Sequence, residues 1–182
     1  MPHGLDTDKR ICFYEQEFYV FSNFSSFQLV WRDTLFPTSE HAYQHEKFVT
    51  TNPMFWPFSG PGKYPYTDFV SQSLDWLRYS IENAMSAHEA FKLAERNKAY
   101  MRPDWNIVKT KIMKLILISK VHQHEYVMKK LLESGDRELV ENSWRDSYWG
   151  WGEDKKGKNM LGKLWMDIRK ELREKIKDTT KK

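Results

Sequence analysis

The clearest helical apolar repeat in the chain lies within residues 104–121. Val108, Ile112, Leu115 and Ile116 stand at i, i+4, i+7 and i+8, and Ser119 continues the stripe. This spacing predicts a core helix, around which the remaining segments must pack. A second stripe, Leu161, Leu164, Trp165, Ile168 and Leu172 within 159–177, predicts an amphipathic partner whose basic end suits the helix dipole. Between these and the N-terminus, 68–83 reads as a helix with Phe69, Leu74, Leu77 and Ile81 inward. Ser86-Ala-His-Glu89 is a capping-box pattern that opens a helix running to about Lys98. A further helix over 123–133 is expected to stop at Gly135, and 136–141 reads as a short helix.

The N-terminal part has a different character. Residues 11–24 are rich in β-favouring aromatics and predict a strand or two ending at Ser22-Asn23. Residues 27–36 predict a hairpin turning near Arg32-Asp33. The sum is a helix-rich α+β single domain with a small N-terminal antiparallel sheet, spanning 11–177 and without internal repeats. It is flanked by a flexible stretch at 1–10 and a basic tail at 178–182. Residues 50–67 are rich in Pro, Gly and aromatics, which predicts a loop, and 50–85 as a whole has the look of an insertion.

Composition narrows the class. With 182 residues, 40% hydrophobic and 30% charged, the chain describes a folded globular protein with a sizeable core. Cys12 is the only cysteine, which excludes a disulfide framework and points to a reducing, cytoplasmic compartment. No apolar run approaches a membrane span, and no membrane partner is expected. A net charge of +4 and a sequence pI near 9.0 permit a nucleic-acid or phosphate-bearing partner.

Two stretches carry the candidate chemistry. In 36–48, FPTSEHAYQHEKF, Pro37 and a Thr38 or Ser39 N-cap open a helix with Glu40 in its first turn. Helical geometry puts Glu40, Tyr43, Gln44 and Lys47 along one face. Charged faces of this kind are ordinarily solvated; here the face also has the makings of a pocket wall. In 143–162, SWRDSYWGWGEDKKGKNMLG, Asp146, Trp149, Gly150 and Asn159 sit among four glycines just before a helix, where backbone N–H groups can receive an anion. Asn23, flanked by Phe21 and Phe24, is a candidate for a ligand's polar edge or for turn chemistry.

Two tempting motifs fail. Gly152 to Asn159 comes within one residue of a phosphate-binding loop, but has Asn where Ser or Thr must hold Mg²⁺, and Glu153 and Asp154 would repel phosphates. His41 and His45 are spaced i, i+4, but Ala42 stands where a zinc protease needs its Glu, so no metal and no cofactor is expected.

Phe21-Ser22-Asn23-Phe24, the Phe36–Phe48 stretch, Arg102-x-Asp104-Trp105, Leu139-Val140-Glu141, Asp146-x-x-Trp149-Gly150-x-Gly152 and Gly157-x-Asn159-x-Leu161-Gly162 follow one another in order. Together they resemble the NADAR family, the YbiA-like N-glycosidases, over about residues 13–172. The resemblance implies hydrolysis of the bond between a ribose C1 and an exocyclic amine of a base. It implies Lys47, Glu40 and Asp146 as catalytic residues. Asn23, Phe24, Tyr43, Gln44, Arg102, Trp105, Trp149, Gly150 and Asn159 are implied as substrate-binding. ADP-ribose on guanine of nucleic acid stands first as substrate, with an opposing ADP-ribosyltransferase as partner. Ribosylamino-pyrimidine intermediates of riboflavin synthesis stand second, and a non-catalytic ADP-ribose reader third. Two mechanisms remain open: a Lys47 Schiff base, or Glu40 and Asp146 acting as a carboxylate pair.

Overall fold

The computed structural model describes residues 4–14, 16–49 and 66–180, without the side chains of Gln16, 66–72 and Thr180. Of the loop expected at 50–67, residues 50–65 lie outside the described residues and 66–67 belong instead to a helix over Tyr66–Glu82; the side chain of Phe69 also lies outside them. Arg32 and Asp33 both take positive φ (48° and 62°), the pattern of a tight two-residue hairpin turn. They join β2 (Leu29–Trp31) to β3 (Thr34–Phe36) in an antiparallel pair. Upstream, β1 (Arg10–Phe13) is followed not by a second strand but by a 3-10 segment over Gln16–Phe21, kinked at Phe18.

β1 pairs in parallel with β4 (Glu138–Glu141), with Ile11 opposite Leu139 and Phe13 opposite Glu141. This corrects the short helix expected at 136–141. Leu139 and Val140 are both buried, since one faces the main core and the other packs with Cys12 and Trp151. A strand buried on both faces gives a short apolar run with no alternation for a sequence reading to detect.

The helices are α1 (Ser39–Glu46), α2 (Tyr66–Glu82), α3 (Ala87–Arg96), α4 (Trp105–Gln123), α5 (Glu125–Glu133) and α6 (Met160–Thr180). Ser86 accepts from the Glu89 N–H at 3.1 Å, as the capping box requires, and α5 ends before Gly135 with its φ of +60°. α6 buries Leu161, Leu164, Trp165, Ile168 and Leu172, and α2 buries Leu74, Leu77 and Ile81, as their spacing predicts. The inward face of α4 differs from the expected one. It runs through Ile112, Met113, Ile116, Leu117, Lys120 and Val121, while Leu115 is exposed. The helix is enclosed on a wide face, and Lys114 turns outward to Asp167 and Glu171 of α6.

Two apolar clusters position everything else. The larger one gathers β1, the hairpin, α4, α5 and α6 around Phe13, Phe21, Phe36, Ile116 and Trp165. The smaller one joins Phe48, at the end of α1, to Leu74, Leu77 and Ile81 of α2 and Ala90 and Ala94 of α3. α1 is wedged between the two. The basic tail begins inside α6, which continues to Thr180. No described helix is long and apolar enough to cross a membrane.

Candidate active site

α1 inverts the usual relation between polarity and exposure. Ser39, Glu40, His41, Gln44 and Glu46 are all buried, and Lys47, its C-cap, is only 8% exposed. Charged side chains are almost never enclosed unless they are paired or used. The helix starts on Thr38, whose hydroxyl accepts from the His41 N–H at 3.3 Å. Burial lowers the His41 pKa, so the ring is neutral. Nε2–H can then donate to the Ala84 carbonyl at 3.1 Å, and the Thr38 hydroxyl to Nδ1 at 2.8 Å. His45 is neutral for the same reason, its pKa pushed down to about 4, and it packs edge-on against Phe36. The two histidines thus serve different structural contacts. Glu46 accepts from Trp31 Nε1 at 2.6 Å and pairs with Arg32, which fastens α1 to the hairpin.

The opposite side of α1 brings the predicted residues together. Gln44 Nε2 donates to Glu40 Oε1 at 2.6 Å. Burial pushes the Glu40 pKa up to about 7; Gln44 and Lys47 pull it down, and the nearby Asp146 charge raises it. At neutral pH Glu40 is therefore poised to give or take a proton. Burial lowers the Lys47 pKa, against the charges of Glu40 and of Glu95, whose carboxylate lies 3.6 Å from Nζ. Desolvation is the largest of these influences, so the amine is shifted toward its nucleophilic neutral form. Lys47 Nζ also stands 5.8 Å above the Tyr43 ring. Tyr43 packs on Trp105 (4.9 Å) and edge-on against Trp149 (5.5 Å), and burial raises its phenol pKa.

The second wall comes from β4 and the turn after it. Asp146 Oδ1 accepts from the Tyr148 and Trp149 N–H groups, each at 2.7 Å. Gly150 is packed so closely that an added Cβ would stand 2.9 Å from the Glu141 carbonyl oxygen. Asn159, at φ 49°, acts as a surrogate strand: its Nδ2 donates to the Leu139 carbonyl at 2.8 Å and its Oδ1 accepts from the Glu141 N–H at 3.0 Å. Its amide is thus engaged by the backbone of β4.

That engagement holds Glu141, to which the sequence reading gave no role. Its carboxylate is enclosed, Oε2 is a buried oxygen without a hydrogen-bond partner, and burial pushes its pKa up to about 8. The charges of Asp146 and Glu40 raise it further, so three carboxyl groups converge on one place. The available signal was a glutamate closing a short apolar run. Reading that run as a helix concealed which way it faces.

The remaining predicted residues are spread around this centre. The Asn23 carbonyl accepts from the Glu40 N–H at 3.1 Å, and Asn23 Oδ1 is buried without a partner, as is Gln44 Oε1. Arg102 forks onto Asp104 at 2.6 and 2.8 Å, and its backbone N–H donates to the Lys47 carbonyl at 2.8 Å, which fixes the end of α1. Phe24 is 42% exposed. Lys109 Nζ lies 4.1 Å over the Tyr148 ring, near enough for its charge to lower the Lys47 pKa, and Lys158 Nζ lies 5.3 Å over the same ring.

The model of the NADAR domain matches residues 12–173, which takes in both walls of this site and all the elements between them. The chain belongs to the NADAR family. Among its relatives, an N-glycosidase of Nostoc punctiforme is 36% identical over 165 residues, 90% of this chain and 92% of the relative. The N-glycosidase YbiA of Escherichia coli is 31% identical, covering 84% of this chain and 80% of YbiA. A riboflavin biosynthesis protein of Vibrio vulnificus is 30% identical over 96% of this chain, which spans only 43% of that longer protein. The NMR structure of E. coli YbiA superposes with a TM-score of 0.73 at 28% identity, over 94% of this chain and 89% of that one. The NADAR fold is therefore the one described above.

Proposed function

We propose that this NADAR protein is an N-glycosidase that cleaves the bond between a ribose C1 and an exocyclic amine, and that its substrate is ADP-ribose carried on the amino group of guanine in nucleic acid. The observation that carries the reading is the buried Lys47 amine, with its pKa lowered by burial, on the same helix face as Glu40 at about 7. A binding module has no use for an enclosed amine coupled to Glu40, itself one of three converging carboxyl groups.

The chemistry follows from these groups. The lone pair of the exocyclic nitrogen expels the ring oxygen from C1, and protonated Glu40 gives that oxygen its proton. Neutral Lys47 adds to the resulting C1=N bond. A proton then passes from the lysine nitrogen to the base nitrogen through a carboxylate, and the C1–base bond breaks. The neutral base leaves, and C1 remains double-bonded to the Lys47 nitrogen. Water adds to C1 and frees the sugar, whose ring recloses. Asp146 and Glu141 are the carboxyl groups near enough to Glu40 to serve the later transfers. Asn23 Oδ1 and Gln44 Oε1, buried acceptors without donors, suit ribose hydroxyls or base N–H groups. Lys109 and Lys158 beside Tyr148 supply positive charge for a phosphate-bearing ligand. An ADP-ribosyltransferase acting on guanine is the class of enzyme that supplies this substrate.

The relatives' names favour a second substrate, the ribosylamino-pyrimidines of riboflavin synthesis. Both compounds, offered separately and followed by mass spectrometry, decide the matter. Release of ADP-ribose from guanosine, with a kcat/KM above that for the pyrimidine, supports the proposal. Turnover of the pyrimidine alone moves the enzyme to riboflavin metabolism, and binding without turnover of either makes it a reader.

A further inference from the structure

Lys120 is fully buried in the last turn of α4 and takes no part in the chemistry above. We propose that it is a positioning residue for the site: its ammonium ties residues 20–25 into one turn and, through the Asn23 carbonyl, fixes the first turn of α1 that carries Glu40. Lys120 Nζ donates to the Val20 carbonyl at 2.6 Å, the Ser22 carbonyl at 3.1 Å and Ser25 Oγ at 2.6 Å. Ser25 Oγ itself reaches the Ser22 carbonyl at 2.7 Å, which closes the turn on itself. Asn23 lies inside this loop, and its carbonyl receives the Glu40 N–H at 3.1 Å. The chain of contacts therefore runs from the core helix to the acid/base carboxyl in three links.

An enclosed cation is an expensive way to hold a turn. Burial pulls the Lys120 pKa down to about 7, and among the described residues no carboxylate pairs with it. Three oxygens and the Phe27 and Trp165 ring faces, 5.3 and 5.9 Å away, offset that cost. A lysine can also satisfy three acceptors at once, which no apolar residue or single hydroxyl can do. Burial of such a group is understandable where a turn must be held rigidly against the helix it serves.

The positional claim stands on these contacts alone, whereas its catalytic consequence rests on the N-glycosidase reading. Lys120→Met should speed exchange of the Glu40 amide hydrogen by on the order of tenfold relative to that of Ile168 in α6. It should lower kcat by about tenfold with little change in KM, and that loss should largely vanish in a Glu40→Gln background, because the two act in series. If Lys120→Met unfolds the chain, Ser25→Ala removes one acceptor and should show the same pattern more weakly. Equal acceleration of exchange at Glu40 and Ile168, or a kcat loss of the same factor in both backgrounds, would mean that Lys120 only stabilises the fold. If the wild type turns over neither substrate, the N-glycosidase reading falls, and the exchange ratio still decides the role of Lys120.

Discussion

At the residue scale, Glu40 and Lys47 make different demands on the same burial. Desolvation raises the one and lowers the other, so each is held closer to its reactive form at neutral pH. Glu40→Gln is expected to lower the rate by about 10²–10⁴-fold, the range for loss of a general acid/base, with the Glu40-to-Gln44 contact replaced by an amide pair. Lys47→Ala should abolish turnover while ADP-ribose still binds. Borohydride added during turnover should fix a ribosyl adduct on Lys47, seen by peptide mass spectrometry. Near-normal activity in Lys47→Arg, without any adduct, would favour the direct carboxylate-pair route. Both residues were legible in the sequence because a helix keeps its register, and the positions at i, i+3, i+4 and i+7 share a face whatever surrounds them. Glu141 was not, because its direction depends on a strand partner in another part of the chain.

At the element scale, β4 and the start of α6 lie almost in van der Waals contact. A Cβ added to Gly162 would come within 2.0 Å of the Leu139 carbonyl oxygen and 2.6 Å of Asn159 Oδ1. Gly162→Ala must therefore push α6 off β4, and a loss of about 3 kcal/mol in urea denaturation is expected. Gly135→Ala provides the contrast: nothing lies within 4 Å of the added atom, and only the positive φ opposes it. It should cost about 1 kcal/mol. The hairpin turn, the caps at Thr38 and Ser86, and the stripes of α2 and α6 could all be read locally, since each depends on neighbours within a few residues. The inward face of α4 could not be fixed that way. Its burial of Lys120 reflects carbonyls about a hundred residues away in sequence, and no periodicity rule places a lysine inside.

At the scale of the whole molecule, the enclosed carboxyls tie stability to pH. In the folded chain Glu40 and Glu141 titrate near 7 and 8, against 4.5 for a free glutamate. Folding therefore takes up protons between these values. The stability they contribute is full below about pH 4.5 and is lost as pH rises through 7 and 8. His41, His45, Lys47 and Lys120, with lowered values, act in the opposite sense. The informative quantity is thus the difference between variants. Glu141→Gln should melt above the wild type at pH 9, with the gap closing by pH 5. A gap that does not change with pH would place the Glu141 carboxyl in solvent.

The parallel pairing of β1 with β4 joins residues 128 positions apart. During synthesis, the helix with Glu40 and Lys47 emerges long before the ribosome has made Glu141, Asp146 or Asn159, whose side chain holds the Glu141 N–H. In a half-made chain Glu40 thus lacks its carboxyl neighbours Asp146 and Glu141, and the three groups meet only when the late strand docks beside the early one. On the N-glycosidase proposal, a truncated product that ends before β4 should therefore show no turnover.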